Sequence, residues 1–362
     1  MIRKEEIIEA LRDVEDPEIH KSLVELNMVR NIEINGTHIS LEVVLTISGC
    51  PLHHTIKAQV TEKLMSLEGI DSVDITLGTM TDEERDALSV QIRGRKGGKL
   101  YSPLLDPNAD IVFLAVASGK GGVGKSTVTA NLAKALGESG LKVGLIDVDI
   151  YGFSIPGIFN LKDRTPTIIR DDLIIPIETE NIKIISMHYF VPNNRPVIWR
   201  GPMLGKMIRN FFYEMYWGDI DVILLDLPPG TGDVALDIHQ LLPKCKELIV
   251  TTPQLDAADV AIRAGVMGQQ TNHEIVGVVE NMAYYQCPKC GDKEYLFGTG
   301  GGERASQVLG TKLLAKIPLT ALKGTALFKN GSLQAQAFQE LAQTLIKKLG
   351  LTRKLQKQAV ME

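Results

Sequence analysis

The chain carries no excess of positive charge, no long apolar run and few cysteines, and each lack closes off a class of protein. Lysine and arginine number 39 against 44 aspartates and glutamates, a formal net charge of -5. No global cationic surface therefore marks a general nucleic-acid binder. No apolar stretch approaches the roughly 20 residues that span a bilayer. The opening Met1-Ile-Arg-Lys-Glu-Glu enters a polar, amphipathic pattern, not a secretory signal. Four cysteines in 362 residues do not make a disulfide framework, so a reducing, cytoplasmic setting is expected, with the thiols available for metal. What is present is the make-up of a globular protein, 44% apolar and 23% charged, long enough for two domains and one full α/β core.

Composition divides the sequence into a small α+β domain over 1–80, a linker over 81–109, a large α/β domain over 110–350 and a tail over 351–362. The small domain reads helix, strand, strand, helix, strand. Ile39, Leu41, Val43 and Leu45 alternate as a strand face, and Ile56, Val60, Leu64 and Leu67 follow helical spacing. The linker holds an acidic helical piece, Asp82-Glu-Glu-Arg, and the basic Arg93-Gly-Arg-Lys-Gly-Gly-Lys99, followed by Pro103 and Pro107. A basic run can dock an acidic partner, but is more often a solvated tether.

From Ile111 onward strand and helix candidates alternate. Strands are expected at Lys142–Asp147, Ile182–Ser186, Asp221–Asp226, Glu247–Thr251, Glu274–Val279 and Leu313–Ile317, with helices at Met203–Tyr216 and Ala257–Gln269. This predicts a mostly parallel sheet covered by helices on both faces, with ligands at the carboxyl ends of the strands. A last helix, Leu333 to Leu349, bears an apolar stripe. Packing on the sheet explains it better than membrane anchoring, because no dense cationic face accompanies it.

The strongest signal is Ser118-Gly-Lys-Gly-Gly-Val-Gly-Lys-Ser-Thr127. Gly119, Gly124, Lys125 and Ser126 fit G-x-x-x-x-G-K-[ST]. In such a loop glycines let backbone N–H groups curl around a phosphate, the lysine reaches β/γ oxygens and the hydroxyl meets Mg²⁺. Here Gly119, Lys120, Gly121, Gly122, Val123, Gly124, Lys125, Ser126 and Thr127 form the candidate nucleotide-binding set. The apolar strand Ile111–Ala117 precedes the loop and a periodic helix from Val128 follows it, as phosphate binding at a helix N-terminus requires. Two acidic sites follow at strand ends. Asp147 and Asp149 stand in D-x-D spacing and share a side if the strand persists. Asp226-Leu-Pro-Pro-Gly230 offers a carboxylate for a Mg²⁺-bound water and a glycine N–H for the γ-phosphate. Each Asp alone could be a strand cap; together with the loop they read as a Mg²⁺–ATP hydrolysis site.

Cys287-Pro-Lys-Cys290 is a C-x-x-C knuckle without a second copy in the chain, and Cys50 and Cys245 lie far away in sequence. Four thiolates on one metal are most economically supplied by two chains, with the metal on a two-fold axis. Zinc and an iron–sulfur cluster suit such a set equally, and a redox dithiol is a third possibility without a thioredoxin-like context. Cys50, beside Pro51 and followed by His53 and His54, allows a C-x-x-H metal pair, although a buried thiol at a helix start is the plainer account.

These residues resemble a known family. The second lysine, Lys120, in Gly-Lys-Gly-Gly-Val-Gly-Lys-Ser-Thr is that of the deviant Walker A ATPases, which include the MinD, ParA and nitrogenase iron-protein groups. Within them the chain is most similar to the Mrp/ApbC-like iron–sulfur cluster carriers. The likeness is carried by Trp199-Arg-Gly-Pro-Met203, Asp226-Leu-Pro-Pro-Gly-Thr-Gly-Asp233, Thr251-Thr-Pro-Gln254 and Val279-Glu-Asn-Met282. Cys287-Pro-Lys-Cys290, Phe297-Gly-x-Gly-Gly-Gly-Glu303 and Ile317-Pro-Leu319 complete it. Residues 1–80 resemble the PaaD/MIP-type domain through Asp16-Pro-Glu18, Val24-Glu-Leu26 and Leu45-Thr-x-x-Gly-Cys50-Pro51.

The resemblance implies a homodimeric carrier that binds and slowly hydrolyses ATP, takes a cluster from a donor and hands it to apo-protein clients. It implies that Lys120 reaches the partner subunit's nucleotide, that Asp149 polarises the attacking water, and that Asp147 supports Mg²⁺ through water. Asn281 would read the adenine edge, and Cys287 and Cys290 would hold a 4Fe–4S cluster bridging two subunits, with Cys50 in an accessory role. Phe153 stands where the family commonly has proline, and His239 receives no role. The rivals are a partitioning or positioning ATPase whose cysteines hold structural zinc, and a scaffold that binds nucleotide without catalysis. Neither nucleic acid nor stable membrane association is expected.

Overall fold

The computed structural model describes residues 2–47, 52–93, 95–96, 99–100, 102–150, 152–170, 173–191, 201–320 and 326–352, with side chains undescribed at 93, 95–96, 99–100 and 201–202. Cys50, Pro51, Trp199, Arg200, most of the basic Arg93–Lys99 run and the tail beyond 352 lie outside the described residues or side chains. Two compact units emerge. The first comprises Met1–Pro103 with Thr167–Ile175 and Tyr213–Gly218; the second holds the remainder.

In the first unit, strands Val29–Asn35 and His38–Leu45 pair antiparallel, and Ser72–Thr79 joins parallel to the middle strand. A parallel pair needs a crossover, supplied here by helix His53–Met65. The two sequence periods meet in one core, where the 2-residue spacing buries Ile39, Leu41 and Val43 and the helical spacing buries Ile56, Val60 and Leu64. Helix Asp82–Arg93, inside the span expected as linker, sends Leu88 into this core. A hairpin from the middle of the sequence, Thr167–Arg170 with Leu173–Ile175, adds Ile169, Leu173 and Ile175. Its Thr167 hydroxyl donates to Glu18 at 2.7 Å, and Arg170 pairs with Asp86.

The second unit is built on an eight-stranded sheet. In spatial order its strands are Ile177–Thr179, Ile182–Ser186, Val143–Asp147, Val222–Asp226, Val112–Ser118, Lys246–Thr251, Glu274–Glu280 and Leu313–Lys316. All neighbours are parallel except the first pair, as the alternation of strands and helices predicts. Strands covered on both faces are apolar throughout, and Leu114, Val116, Leu145 and Leu224 are fully buried. Helix Lys125–Glu138 and the terminal helix Leu333–Lys348 share this core; the stripe Phe338, Leu341, Ala342, Leu345 and Ile346 is the latter's buried face. Among the described residues no helix is long and apolar enough to cross a membrane.

Register decides what lies at the carboxyl edge. Asp226 pairs with Asp147 on one side and Val116 on the other, and Asp147 pairs with Ser186. Two carboxylates more than seventy residues apart are thereby set side by side beneath the glycine-rich loop.

Candidate nucleotide site and cysteine knuckle

The loop follows strand Val112–Ser118 and ends in helix Lys125–Glu138. Gly122 and Gly124 have φ of +82° and +80°, conformations that disfavour side chains. Gly119 is required for another reason, since a Cβ there would lie 2.1 Å from the Val260 carbonyl carbon. Gly121 and Gly122 face open space. Residues Lys120 to Thr127 line a cavity of about 400 Å³ whose far wall includes Asp149, Gly152, Ser154 and Pro229. Lys120 is exposed at its rim, whereas Lys125 is buried.

Beneath the loop the charges are tightly organised. Lys125 Nζ lies 2.8 Å from Asp226 Oδ1 and 3.7 Å from Asp149 Oδ2. Asp226 also accepts hydrogen bonds from the Ser126 hydroxyl at 2.5 Å and the Thr129 hydroxyl at 2.7 Å. The strand carrying Asp147 ends there, so Asp149 is not its same-side neighbour along a continued strand; instead the Asp149 N–H donates to Asp147 Oδ1 at 3.2 Å. Ser186 donates to the other oxygen at 3.0 Å. Burial, and then the nearby Asp226, push the Asp147 carboxyl well above the usual carboxylate range. Lys125, the Ser186 hydroxyl and the Asp149 N–H oppose that shift.

Two of the expected site residues make contacts within the chain that the sequence did not suggest. The Gly230 N–H, assigned from sequence to the γ-phosphate, donates to the Ser118 carbonyl at 2.8 Å and so ties the Asp226–Gly230 loop to the base of the phosphate loop. Asn281 donates through Nδ2 to the Val123 carbonyl at 2.9 Å, an attachment sequence did not suggest. Sequence reasoning also missed Thr129 and Ser186. Thr129 lies one helical turn after Lys125, a spacing that could have flagged it. Ser186 is recruited by sheet register alone.

The cysteine pair sits at the tip of a small hairpin, Tyr285–Gln286 against Lys293–Glu294. The Cys287 N–H donates to the Asp292 carbonyl and the Gly291 N–H to the Cys287 carbonyl, both at 2.9 Å, and Gly291 has φ +79°. Cys287 is half-buried and Cys290 exposed. The Cys290 and Lys289 backbone N–H groups, aided by the Cys290 side chain, hold the Cys287 thiol below its usual range, a shift toward the thiolate form that binds metal. Cys245 is of the opposite kind, buried, with its thiol pushed up by burial and by Glu247. Among the described residues no three His, Cys, Asp or Glu side chains are placed to hold one metal ion. Among the described residues the knuckle thus offers two cysteine sulfurs and no third ligand of those types.

Comparison with known proteins agrees with this geometry. Residues 111–349 match the ParA family described as NUBPL iron-transfer P-loop NTPase, and residues 4–77 match the iron-sulfur cluster assembly protein family. An iron-sulfur cluster carrier protein of Bacillus subtilis (strain 168) is 47% identical over 321 residues, 88% of this chain and 89% of that one. One from Synechocystis sp. (PCC 6803) is 38% identical over 323 residues, 88% of each. Among solved structures, an Archaeoglobus fulgidus nucleotide-binding protein in complex with ADP aligns with a TM-score of 0.51 at 35% identity, covering 64% of this chain and 87% of that one. The septum site-determining protein MinD of Pyrococcus horikoshii, complexed with Mg-ADP, aligns at 0.50 and 25% identity, covering 67% and 98%. The chain belongs to the NUBPL-type iron-transfer P-loop NTPase family, with an iron–sulfur cluster assembly domain at its N-terminal side.

Proposed function

We propose that the chain is an ATP-hydrolysing iron–sulfur cluster carrier acting in the cytoplasm as a homodimer, loading a cluster from a donor and passing it to apo-protein clients. One observation carries this: a single compact unit holds both a phosphate loop with a buried Lys125–Asp226 floor and a two-cysteine knuckle with Cys290 exposed.

The donor set under the loop fits Mg²⁺, since a hydroxyl and carboxylates are hard oxygen ligands. Ser126 and Asp226 would hold the ion, with Asp147 supporting it through water. Bound there, it would neutralise charge on the β- and γ-phosphates. Lys125 would pair with those phosphates, and Asp149 on the cavity wall would orient the water that attacks the γ-phosphorus. Asn281 spends Nδ2 on Val123, which leaves Oδ1 to accept from an adenine amino group. Lys120 at the rim would extend to the nucleotide of the partner subunit.

The cluster is cargo. Cys287 and Cys290 would ligate one side of a 4Fe–4S cluster and the same pair from the second subunit the other. Asn281 stands six residues before Cys287 on continuous chain, so loop movement at Val123 has a short covalent route to the thiolates. The enzyme acts as a switch, with turnover expected below the roughly 10 per second of a median enzyme. Protein prepared without oxygen should contain iron and acid-labile sulfide and show charge-transfer absorbance. Cys290→Ala should lose both the iron and the absorbance. Zinc without sulfide in the parent, or unchanged iron in the variant, would sink the assignment.

A further inference from the structure

Five residues past the knuckle, three consecutive large apolar side chains face solvent: Tyr295 at 51%, Leu296 at 58% and Phe297 at 37% exposure. Adjacent exposed apolar side chains of this size can mark a protein–protein contact. Its backing is firm. The hairpin register, Tyr285 opposite Glu294, sets Tyr295 against the Tyr284 ring with centroids 6.3 Å apart. Lys293 Nζ lies 4.3 Å above that same ring. On the far side, the Gly302 N–H donates to Glu280 at 2.7 Å, and Gly301 packs so close that a Cβ would lie 2.6 Å from the Thr252 and Pro253 carbonyl oxygens. The glycine-rich Gly298–Gly302 segment therefore clamps the apolar run to the sheet; its helix start is filled by a carboxylate.

Resting on the carrier reading, we propose that Tyr295, Leu296 and Phe297 form an apolar collar that packs on the second copy of this chain and shields the shared cluster from water. Two observations select a second copy as occupant. The knuckle supplies two thiolates and, among the described residues, no third side-chain ligand, so its metal site is incomplete in one chain. The knuckle's charges, Lys289 and Lys293 against Asp292 and Glu294, balance, so two copies can meet across a two-fold axis without net repulsion. Six residues separate Leu296 from Cys290, a span of at most about 20 Å at roughly 3.4 Å per extended residue, which lets the run lie beside a cluster shared by two knuckles. Excluding water there would slow hydrolytic and oxidative loss of the cluster and tune its potential.

The test compares the full-length parent with Leu296→Glu and Leu296→Gln after anaerobic reconstitution. Sedimentation velocity measures dimerisation, and iron stripping by bathophenanthroline measures shielding. Leu296→Glu, which sets two like charges across the axis, should weaken the dimer at least about tenfold and speed stripping at least about fivefold, with Leu296→Gln between it and the parent. Both should keep the parent's Tm and its affinity for ADP, because Leu296 is exposed and outside the nucleotide cavity. Dimer affinity and stripping rates within about twofold of the parent in both variants would overturn the collar. So would normal dimers that fail to deliver the cluster to an apo-acceptor, which would assign the face to clients. A parent that holds no cluster, or holds one as a monomer, would instead overturn the carrier reading itself.

Discussion

Asp226 accepts from Lys125, Ser126 and Thr129 at once, and this crowding explains how a fully buried carboxylate is tolerated. Thr129→Val keeps the shape of the side chain but withdraws one charge-assisted donor. Its expected cost is about 1.5–3 kcal/mol of unfolding free energy, read from urea denaturation; a loss below about 0.5 kcal/mol would show that Asp226 does not depend on it. Asp147 lies next door, paired with Asp226 in the sheet. Its folded carboxyl sits above the unfolded value, so the folded state holds the proton more tightly, and the group weakens the fold increasingly as pH rises through and above the ordinary carboxylate range. Asp147→Asn should therefore match the parent near pH 4 and exceed it in stability by a margin that widens toward about pH 8. Denaturation midpoints that run parallel over that range would contradict the cause given for the shift.

Among elements, the strand Glu274–Glu280 and its exit have the most to do. Glu280 receives the Gly302 N–H, Asn281 braces Val123, Met282 adopts φ +56°, and the Ala283 N–H donates to Ile317 at 2.9 Å before the knuckle begins. One short segment is thus pinned to the phosphate loop, to the glycine clamp and to the next strand. Asn281→Ala removes the first pin. It should weaken ATP binding roughly tenfold, about the worth of one buried hydrogen bond. At saturating nucleotide it should also abolish the ATP-dependent change in hydrogen exchange across residues 284–292. An unchanged exchange difference would leave Asn281 with a binding role alone.

For the whole molecule, the homodimer proposed above would give both the exposed Lys120 and the two-cysteine knuckle a neighbour. If Lys120 acts across subunits, specific phosphate release by the parent should rise with protein concentration as dimers form. Lys120→Ala should stay at the monomer level, at least about tenfold lower at saturation, while keeping its own ATP affinity. A variant whose activity rises with concentration like the parent's would remove the cross-subunit role. The first unit is also less local than the chain order suggests, because Ile169, Leu173 and Ile175 enter its core from far downstream.

Sequence by itself determined the features whose physics is local. A phosphate loop is written in consecutive residues because glycine conformation and a helix start are local properties, and the C-x-x-C spacing alone brings two thiols into reach of one ion. The parallel sheet was legible because strands buried on both faces must be apolar throughout. Tertiary structure decided what depends on strands being neighbours. Register set Asp147 beside Asp226 and brought in Ser186; the packing of the loops at the strand ends put Asn281 against Val123 and turned the Gly230 N–H to Ser118. The hairpin Thr167–Ile175 gave no sign of its destination, since its short alternating strands fit any sheet and only packing assigns them to the first unit's core. Contacts across 39 to 158 residues leave no periodicity in the chain, because they are selected by the packing of the whole unit.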